Sequence, residues 1–177
     1  MSTRCYIAKL NENNSVEFIY CHFDGYLKGV GQTLIDYYMD SNRVQELLKL
    51  GDLSSLHERL EADKGELHDF SNRAEGVTVA YSRDRGERQD CCCSRTVSSY
   101  ERFFKKDCSE FDIEYAYLYI EDYGWVALEK HLGNDNLAQV YVCELFGSSK
   151  FINLTKLYSG KQGIIDLVHA IIKIKRG

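Results

Sequence analysis

The sequence predicts an α+β fold: a single domain in which a twisted antiparallel sheet of five or more strands carries helices mainly on one face. Short β-rich runs separated by turn residues recur along the 177 residues, while helical periodicity is confined to a few separate segments. Aromatic residues reach 12%, which is typical of strand-rich structure. Because the chain has no proline, its turns must come from glycine, asparagine and aspartate.

The elements follow from local patterns. The Asn-rich stretch 11–15 predicts a tight turn between two β-rich runs, and residues 113–120 alternate as a half-buried strand does. Asp52 or Ser54 can cap a short helix that ends at Leu60, before a polar loop. We expect strands over 5–10, 16–21, 76–81, 113–120, 125–128, 139–146 and 151–157, and further helices over 33–39, 41–50, 98–106 and 163–176.

The chain divides in the prediction into an α+β core, residues 1–131, and a strand-plus-helix extension, residues 132–177, packed on it. The last helix, 163–176, has an apolar surface broader than the single stripe of an ordinary surface helix. Leaving it exposed would be costly and would favour aggregation. We therefore expect this helix either to complete the core or to form a homo-oligomer contact.

Composition excludes several classes of protein. The net charge of −5 argues against direct nucleic-acid binding, although an acidic surface that imitates phosphate is an alternative. Apolar runs fall short of the roughly 20 residues that span a bilayer, so no membrane association is expected. Seven cysteines without a signal peptide predict free thiols in a reducing cytosol.

The first candidate site is the turn after the second strand, where His22, Asp24 and Tyr26 stand among glycines. A His–Asp pair can act as base and orienter, or as two metal ligands that His57, His68 or Asp69 would complete. The spacing matches no metal signature, so we predict no metal and no cofactor. The alternative is structural: Asp24 caps the turn and His22 bonds a backbone carbonyl.

The second candidate site is the charged run that contains Arg83, Asp84 and Arg85. Two arginines before a glycine could bind a phosphate or a carboxylate in a fork. The alternative is a solvated loop with local ion pairs, each of which contributes little when exposed. If strand 76–81 lay beside strand 16–21, this loop and the His22 turn would emerge together.

The triplet Cys91, Cys92 and Cys93 invites a nucleophilic or redox interpretation, but adjacent cysteines rarely bridge because the disulfide geometry is strained. We interpret them as free thiols at a loop edge. The chain also lacks GxGxxG, P-loop, GxSxG and HExxH motifs. No catalytic residue is therefore predicted, and a non-enzymatic role is favoured.

Three blocks carry a family resemblance: residues 19–26 (Ile-Tyr-Cys-His-Phe-Asp-Gly-Tyr) followed by Gly31, residues 50–56 (Leu-Gly-Asp-Leu-Ser-Ser-Leu) and residues 81–87 (Tyr-Ser-Arg-Asp-Arg-Gly-Glu). In this order, with a Thr-Arg pair near the start, they resemble a family of small bacteriophage and prophage proteins. The resemblance covers residues 3–128. Phe23 stands where the family usually has tryptophan, and Leu27 where proline is common.

The resemblance implies a phage-borne accessory protein acting in the host bacterial cytoplasm; it supplies no reaction and no catalytic residues. The leading hypothesis is a non-enzymatic inhibitor that binds a bacterial host defence factor, as anti-CRISPR proteins do. The alternative is a nucleotide or small-molecule binder, sequestering protein or hydrolase. It would use the His22/Asp24 turn and the Arg83/Arg85 loop.

Overall fold

The structure, a computed structural model, describes residues 2–109, 113–130, 138–144 and 149–177. The strands are β1 (Cys5–Leu10), β2 (Val16–Cys21), β3 (Leu53–Ser55), β4 (Val79–Ala80), β5 (Arg95–Val97), β6 (Tyr115–Ile120), β7 (Gly124–Glu129), β8 (Gln139–Glu144) and β9 (Ile152–Asn153). The helices are α1 (Gln32–Tyr37), α2 (Ser41–Lys49), α3 (Tyr81–Arg85), α4 (Gln89–Cys92), α5 (Tyr100–Lys105) and α6 (Gly160–Arg176). A π-helical turn, Leu27–Gly31, precedes α1.

The predicted α+β class and single-domain architecture are confirmed. Within the described residues, the strands form one open sheet in the order β4-β3-β2-β1-β6-β7-β8-β9, with β5 also paired to β2. The sheet is mixed rather than purely antiparallel, because β1 pairs in parallel with β6 and β2 with β3. The crossover through α1 and α2 returns the chain in its original direction, which makes β2 and β3 parallel.

Helices lie on both faces of the sheet, whereas the sequence predicted them mainly on one. The core that includes Ile7 contains side chains of α1 and α2, and the core that includes Tyr6 contains those of α5 and α6. Central strands such as β1 are consequently buried on both sides. A strand that is buried on both faces lacks the simple apolar–polar alternation of a sheet with one solvated face.

The hairpins follow the predicted pattern. The β1–β2 pair is antiparallel with Cys5 opposite Cys21, and β6, β7 and β8 form an antiparallel meander. Trp125 on β7 is fully buried, and its Nε1–H donates to the carbonyl oxygen of Tyr38 at 3.0 Å, which ties the meander to α1. Part of the predicted strand 139–146 lies outside the described residues, as does the proposed boundary near residue 131.

Four local predictions differ from the structure. The strand predicted over 76–81 is limited to β4, because Tyr81 begins α3. The stretch predicted as a capped helix over 52–60 contains β3, because its backbone pairs with β2 and β4. The strand predicted over 151–157 is limited to β9, and the charged stretch 82–90 contains parts of α3 and α4 instead of a loop. In each case, tertiary contacts outweigh a weak local preference.

Helix α6 completes the core, one of the two outcomes expected for it. Ile164, Leu167, Val168 and Ile171 are buried with side chains of β6, β7 and β8. The homo-oligomer contact stays a prediction. Among the described residues, no helix combines the length and apolarity needed to cross a bilayer.

Candidate functional site

The candidate site lies where β2 ends beside the start of β3, at the pair Cys21 and Leu53. Two backbone bonds hold the edge together: the His22 N–H donates to Leu53 O at 3.1 Å, and the Phe23 N–H donates to Ser54 O at 3.0 Å. The predicted His22 turn therefore begins on a fixed backbone.

The turn after His22 is packed too tightly for side chains at its glycines. A Cβ at Gly29 would meet Asp24 O at 2.3 Å, and a Cβ at Gly25 would meet Thr3 O at 2.8 Å. Asp24 itself adopts a left-handed φ of 57°, a conformation that aspartate and asparagine tolerate better than most residues with a side chain. The Tyr117 hydroxyl donates to Gly25 O at 2.8 Å, and this hydrogen bond fixes the turn to strand β6 of the sheet.

His22 is the polar centre of this edge. Its Nδ1 shares a hydrogen bond of 2.7 Å with the Tyr20 hydroxyl, whose donor depends on the imidazole tautomer. Burial lowers the pKa of His22, and the positive charges of Arg4 and Arg85 lower it further. Both effects favour the neutral imidazole, and the two arginines make its surroundings locally positive although the whole chain is acidic.

A continuous series of rings with one guanidinium crosses the site, which we call the aromatic row. Its members, in order, are Phe70, Arg85, Tyr81, Tyr20, His22 and Phe23. The guanidinium carbon of Arg85 lies 4.9 Å and 4.3 Å from the two flanking ring centroids. The three following ring pairs have centroid separations of 6.3, 6.0 and 4.5 Å. Both ends of the row are exposed: Phe70 by 41% and Phe23 by 38%.

Arg83 and Asp84 have a structural role. Arg83 donates from Nε and Nη2 to the two Asp84 carboxylate oxygens at 2.7 and 2.8 Å. It also donates to Leu60 O and Thr78 O, both at 2.6 Å. Four of its five N–H groups are therefore engaged internally. Asp84 is buried and accepts the Ala80 N–H at 2.7 Å, so this pair fastens the 60–78 loop to β4.

The structure thus brings together only part of the predicted set. His22 and Arg85 meet through the aromatic row, and Tyr26 is exposed on the same turn. The charge of Asp24 instead affects His57. Burial lowers the pKa of His57, and the negative charge of Asp24 raises it. The hypothesis of a His22–Asp24 pair finds no support, because the Nδ1 of His22 bonds to Tyr20 instead.

Sequence reasoning missed Tyr20 and Tyr81 as members of the row. The signals existed: Tyr20 precedes His22 by two residues and so shares its face of the strand, and Tyr81 precedes Arg85 by four on one helical turn. The condition set for the two candidate sites to meet, that the third strand lies beside strand 16–21, is not fulfilled, since β3 lies between β2 and β4. Tyr20 and Tyr81 nevertheless touch across it.

The other candidate chemistry is structural as well. His68 Nδ1 accepts the Ala74 N–H at 3.1 Å, and among the described residues no three His, Cys, Asp or Glu side chains converge as a metal site requires. Cys92 is buried, and its carbonyl oxygen accepts the Asp52 N–H at 2.6 Å. The negative charge of Asp90 raises the pKa of Cys91, the reverse of the thiolate activation that a nucleophile needs.

The chain matches no protein-family model, no curated protein and no solved structure. Its function must therefore be argued from the site.

Proposed function

We propose that this chain is a non-enzymatic binding protein whose contact surface is the aromatic row with Tyr26. The observation that carries the proposal is the continuous contact from Phe70 through Arg85 to Phe23, exposed at both ends. Tyrosine, phenylalanine and arginine are enriched at protein interfaces, and arginine and tyrosine dominate their energetics. The rings are held by contacts with one another, which lowers the entropy that binding must overcome.

The partner proposed is a bacterial host protein, a component of a defence system, which the chain would inhibit in the host cytoplasm. Two arguments support this choice: the resemblance to phage accessory proteins, and a site without an activated nucleophile or a metal cluster among the described residues. The field at His22 favours a partner surface that presents carboxylates beside apolar groups.

An infection assay tests this function. Bacterial strains that carry different defence systems would express either the wild-type chain or the Phe23→Ala, Phe70→Ala double variant before challenge with a restricted phage. We expect the wild-type chain to raise the efficiency of plating in the strain whose defence it inhibits, and the double variant to lose most of this effect. The proposal would be contradicted if both chains raised the efficiency of plating equally, or if neither chain raised it in any strain.

A second candidate is nucleotide binding, with a base stacked on the row. The specific observation that favours it is the positive charge of Arg4 and Arg85 near His22, beside a row of rings in edge-to-face contact, in an acidic protein. Aromatic stacking contributes about 1–3 kcal/mol per base. A nucleotide at 100 times its dissociation constant should stabilise the fold by about 2.7 kcal/mol. If no nucleotide shifts the melting temperature, this candidate fails.

A further inference from the structure

A compact loop, residues 60–76, carries Phe70, one exposed end of the aromatic row. The two ends of the loop lie side by side, because the Arg59 N–H donates to Gly76 O at 2.9 Å. Compact loops of this kind hold their shape through the packing of their own side chains. His68 is one of those side chains, and it is only 4% exposed. The contacts of its imidazole therefore bear on how the segment around Phe70 is held.

The two ring nitrogens of His68 have different surroundings. Nδ1 accepts the Ala74 N–H at 3.1 Å, and a ring nitrogen that accepts such a bond carries no proton. The proton of the neutral ring is therefore on Nε2, which lies 3.4 Å from Asp84 Oδ2. This second contact lacks the geometry of a hydrogen bond, so the attraction of the Asp84 charge is what acts on Nε2. The Ala74 bond is thus the hydrogen bond that ties the imidazole to the far side of the loop.

Titratable side chains interact with His68 from its own loop, from α3 and from the segment after β3: Glu66, Asp69, Asp84 and His57. Hydrogen bonds lower the pKa of Glu66 and of Asp69, and a positive charge on His68 lowers it further. Burial opposes the ionisation of Asp84, but its hydrogen bonds, of which Arg83 supplies two, still lower its pKa. All three carboxylates consequently stay ionised at a pH where histidines in general gain a proton. Three negative charges therefore remain near His68 when its ring is protonated.

We infer that protonation of His68 releases the Ala74 side of the loop and so makes residues 60–76 a pH-sensitive switch. A proton added at Nδ1 turns the acceptor of the Ala74 N–H into a second donor, and two facing N–H groups repel each other. Asp84 attracts the imidazolium from the Nε2 side, so the ring stays beside α3 while Ala74 separates from it.

The release reaches the aromatic row through the residue before Ala74. The guanidinium carbon of Arg73 lies 4.7 Å from the centroid of the Phe70 ring, so movement of Ala74 displaces Arg73 from the exposed end of the row. The switch is a property of the loop and holds whether or not the row binds a partner. If the row binds one, acid changes the contact made at Phe70.

NMR and amide hydrogen exchange of the full-length chain test the switch between about pH 8 and pH 5, the range in which histidines titrate. Nitrogen spectra of the imidazole at the upper limit should place the His68 proton on Nε2. On acidification, the Ala74 amide should lose at least tenfold of its protection, after correction for the intrinsic pH dependence of exchange. The amides of β1 should keep theirs, because the sheet does not take part in the opening.

Two variants identify the group that responds to acid. The side-chain oxygen of His68→Asn can accept the Ala74 N–H in place of Nδ1, but it takes up no proton in this range. We expect this variant to keep the loop protected at both pH values. His169→Asn, which removes an exposed histidine from α6, is the matched control and should open as the wild type does.

Three results would overturn the inference: a His68 proton on Nδ1 at the upper pH, Ala74 protection that does not change with pH, or equal opening of the wild type and His68→Asn. If His68→Asn does not fold, the tautomer and the Ala74 exchange of the wild-type chain decide the matter. A chain whose loop opens in acid but which inhibits no defence system contradicts the proposed function alone, so the two failures are distinguishable.

Discussion

At the scale of single residues, Arg83 and Arg85 have separate roles although two positions divide them. Arg83 donates hydrogen bonds to the Asp84 carboxylate and to two carbonyl oxygens, while the guanidinium of Arg85 lies over the ring of the exposed Phe70. The sequence could not separate them, because both stand in the same charged run. The two side chains are about equally exposed, by 32% and 30%, so only the placement of Asp84 beneath the loop decides which arginine bonds to the fold.

Arg83→Ala should therefore destabilise the fold by about 2–3 kcal/mol, since it leaves the buried Asp84 carboxylate without its charged donor. The matched control is Arg88→Ala. Arg88 also pairs with a nearby carboxylate, but its side chain is 79% exposed and that of Asp90 is 62% exposed. This control should cost about 0–1 kcal/mol. Urea unfolding measures both, and equal losses would contradict the assigned role of Arg83.

The Asp84 carboxylate should also make stability depend on pH. Burial opposes ionisation, but hydrogen bonds from Arg83 and the Ala80 N–H lower the pKa of Asp84 below its ordinary value. Its contribution is therefore present above the unfolded pKa of about 3.9 and disappears as pH falls through the lower folded pKa. We expect Asp84→Asn to destabilise the chain at pH 7, with a deficit that shrinks in acid. A deficit that stays constant with pH would refute this assignment.

At the scale of elements, the turn between β2 and α1 is the most constrained part of the site. Its glycines were recognised in the sequence as a bend, but their reason is visible only in three dimensions. Gly29 packs directly on the Asp24 carbonyl, and its φ of −98° and ψ of −105° lie outside the helical and extended wells. The turn therefore presents its side chains on a rigid backbone.

Gly29→Ala should destabilise the chain by about 1–3 kcal/mol, because the added methyl group overlaps a backbone oxygen that cannot move freely. Lys28→Ala, at the exposed neighbouring position, should change stability by less than about 0.5 kcal/mol. Thermal unfolding compares the two variants. A Gly29→Ala protein as stable as the wild type would show that the turn is looser than described.

The last helix combines buried and exposed isoleucines. Ile164→Ala should cost about 2–5 kcal/mol, because Ile164 is fully buried in the core. The matched control, Ile174→Ala, removes a side chain that is 81% exposed and should be nearly neutral for stability. If Ile174→Ala instead dissociates an oligomer in sedimentation experiments, the predicted homo-oligomer contact through this helix gains support.

β3 is the strand that its own residues predict least well. The long hairpins could be predicted because β-branched and aromatic residues alternate within them. Leu53, Ser54 and Ser55 carry helix-capping chemistry instead and become a strand only by pairing with β2 and β4. No local pattern encodes that pairing, so Ser54 could not be recognised as a neighbour of His22.

At the scale of the whole molecule, class and domain number could be predicted, but strand direction and face could not. Alternation along a strand shows which residues are buried, but it does not show whether the neighbouring strand runs parallel or antiparallel. The parallel β2–β3 pair is the feature that creates the site, since it places the end of β2 beside the start of β3. The two halves of the site meet because α3 follows β4, whose partner β3 borders β2.

In the proposed function, the aromatic row is the surface through which this chain binds its partner. Quantitative capture from host lysate tests this, with the tagged wild-type chain, the Phe23→Ala, Phe70→Ala variant and a control. The control, Leu157→Ala with Ile174→Ala, removes side chains that are 77% and 81% exposed elsewhere on the surface. We expect one stoichiometric host protein to be retained by wild type and control and lost, by tenfold or more, by the row variant. Equal retention by all three chains would contradict the claim.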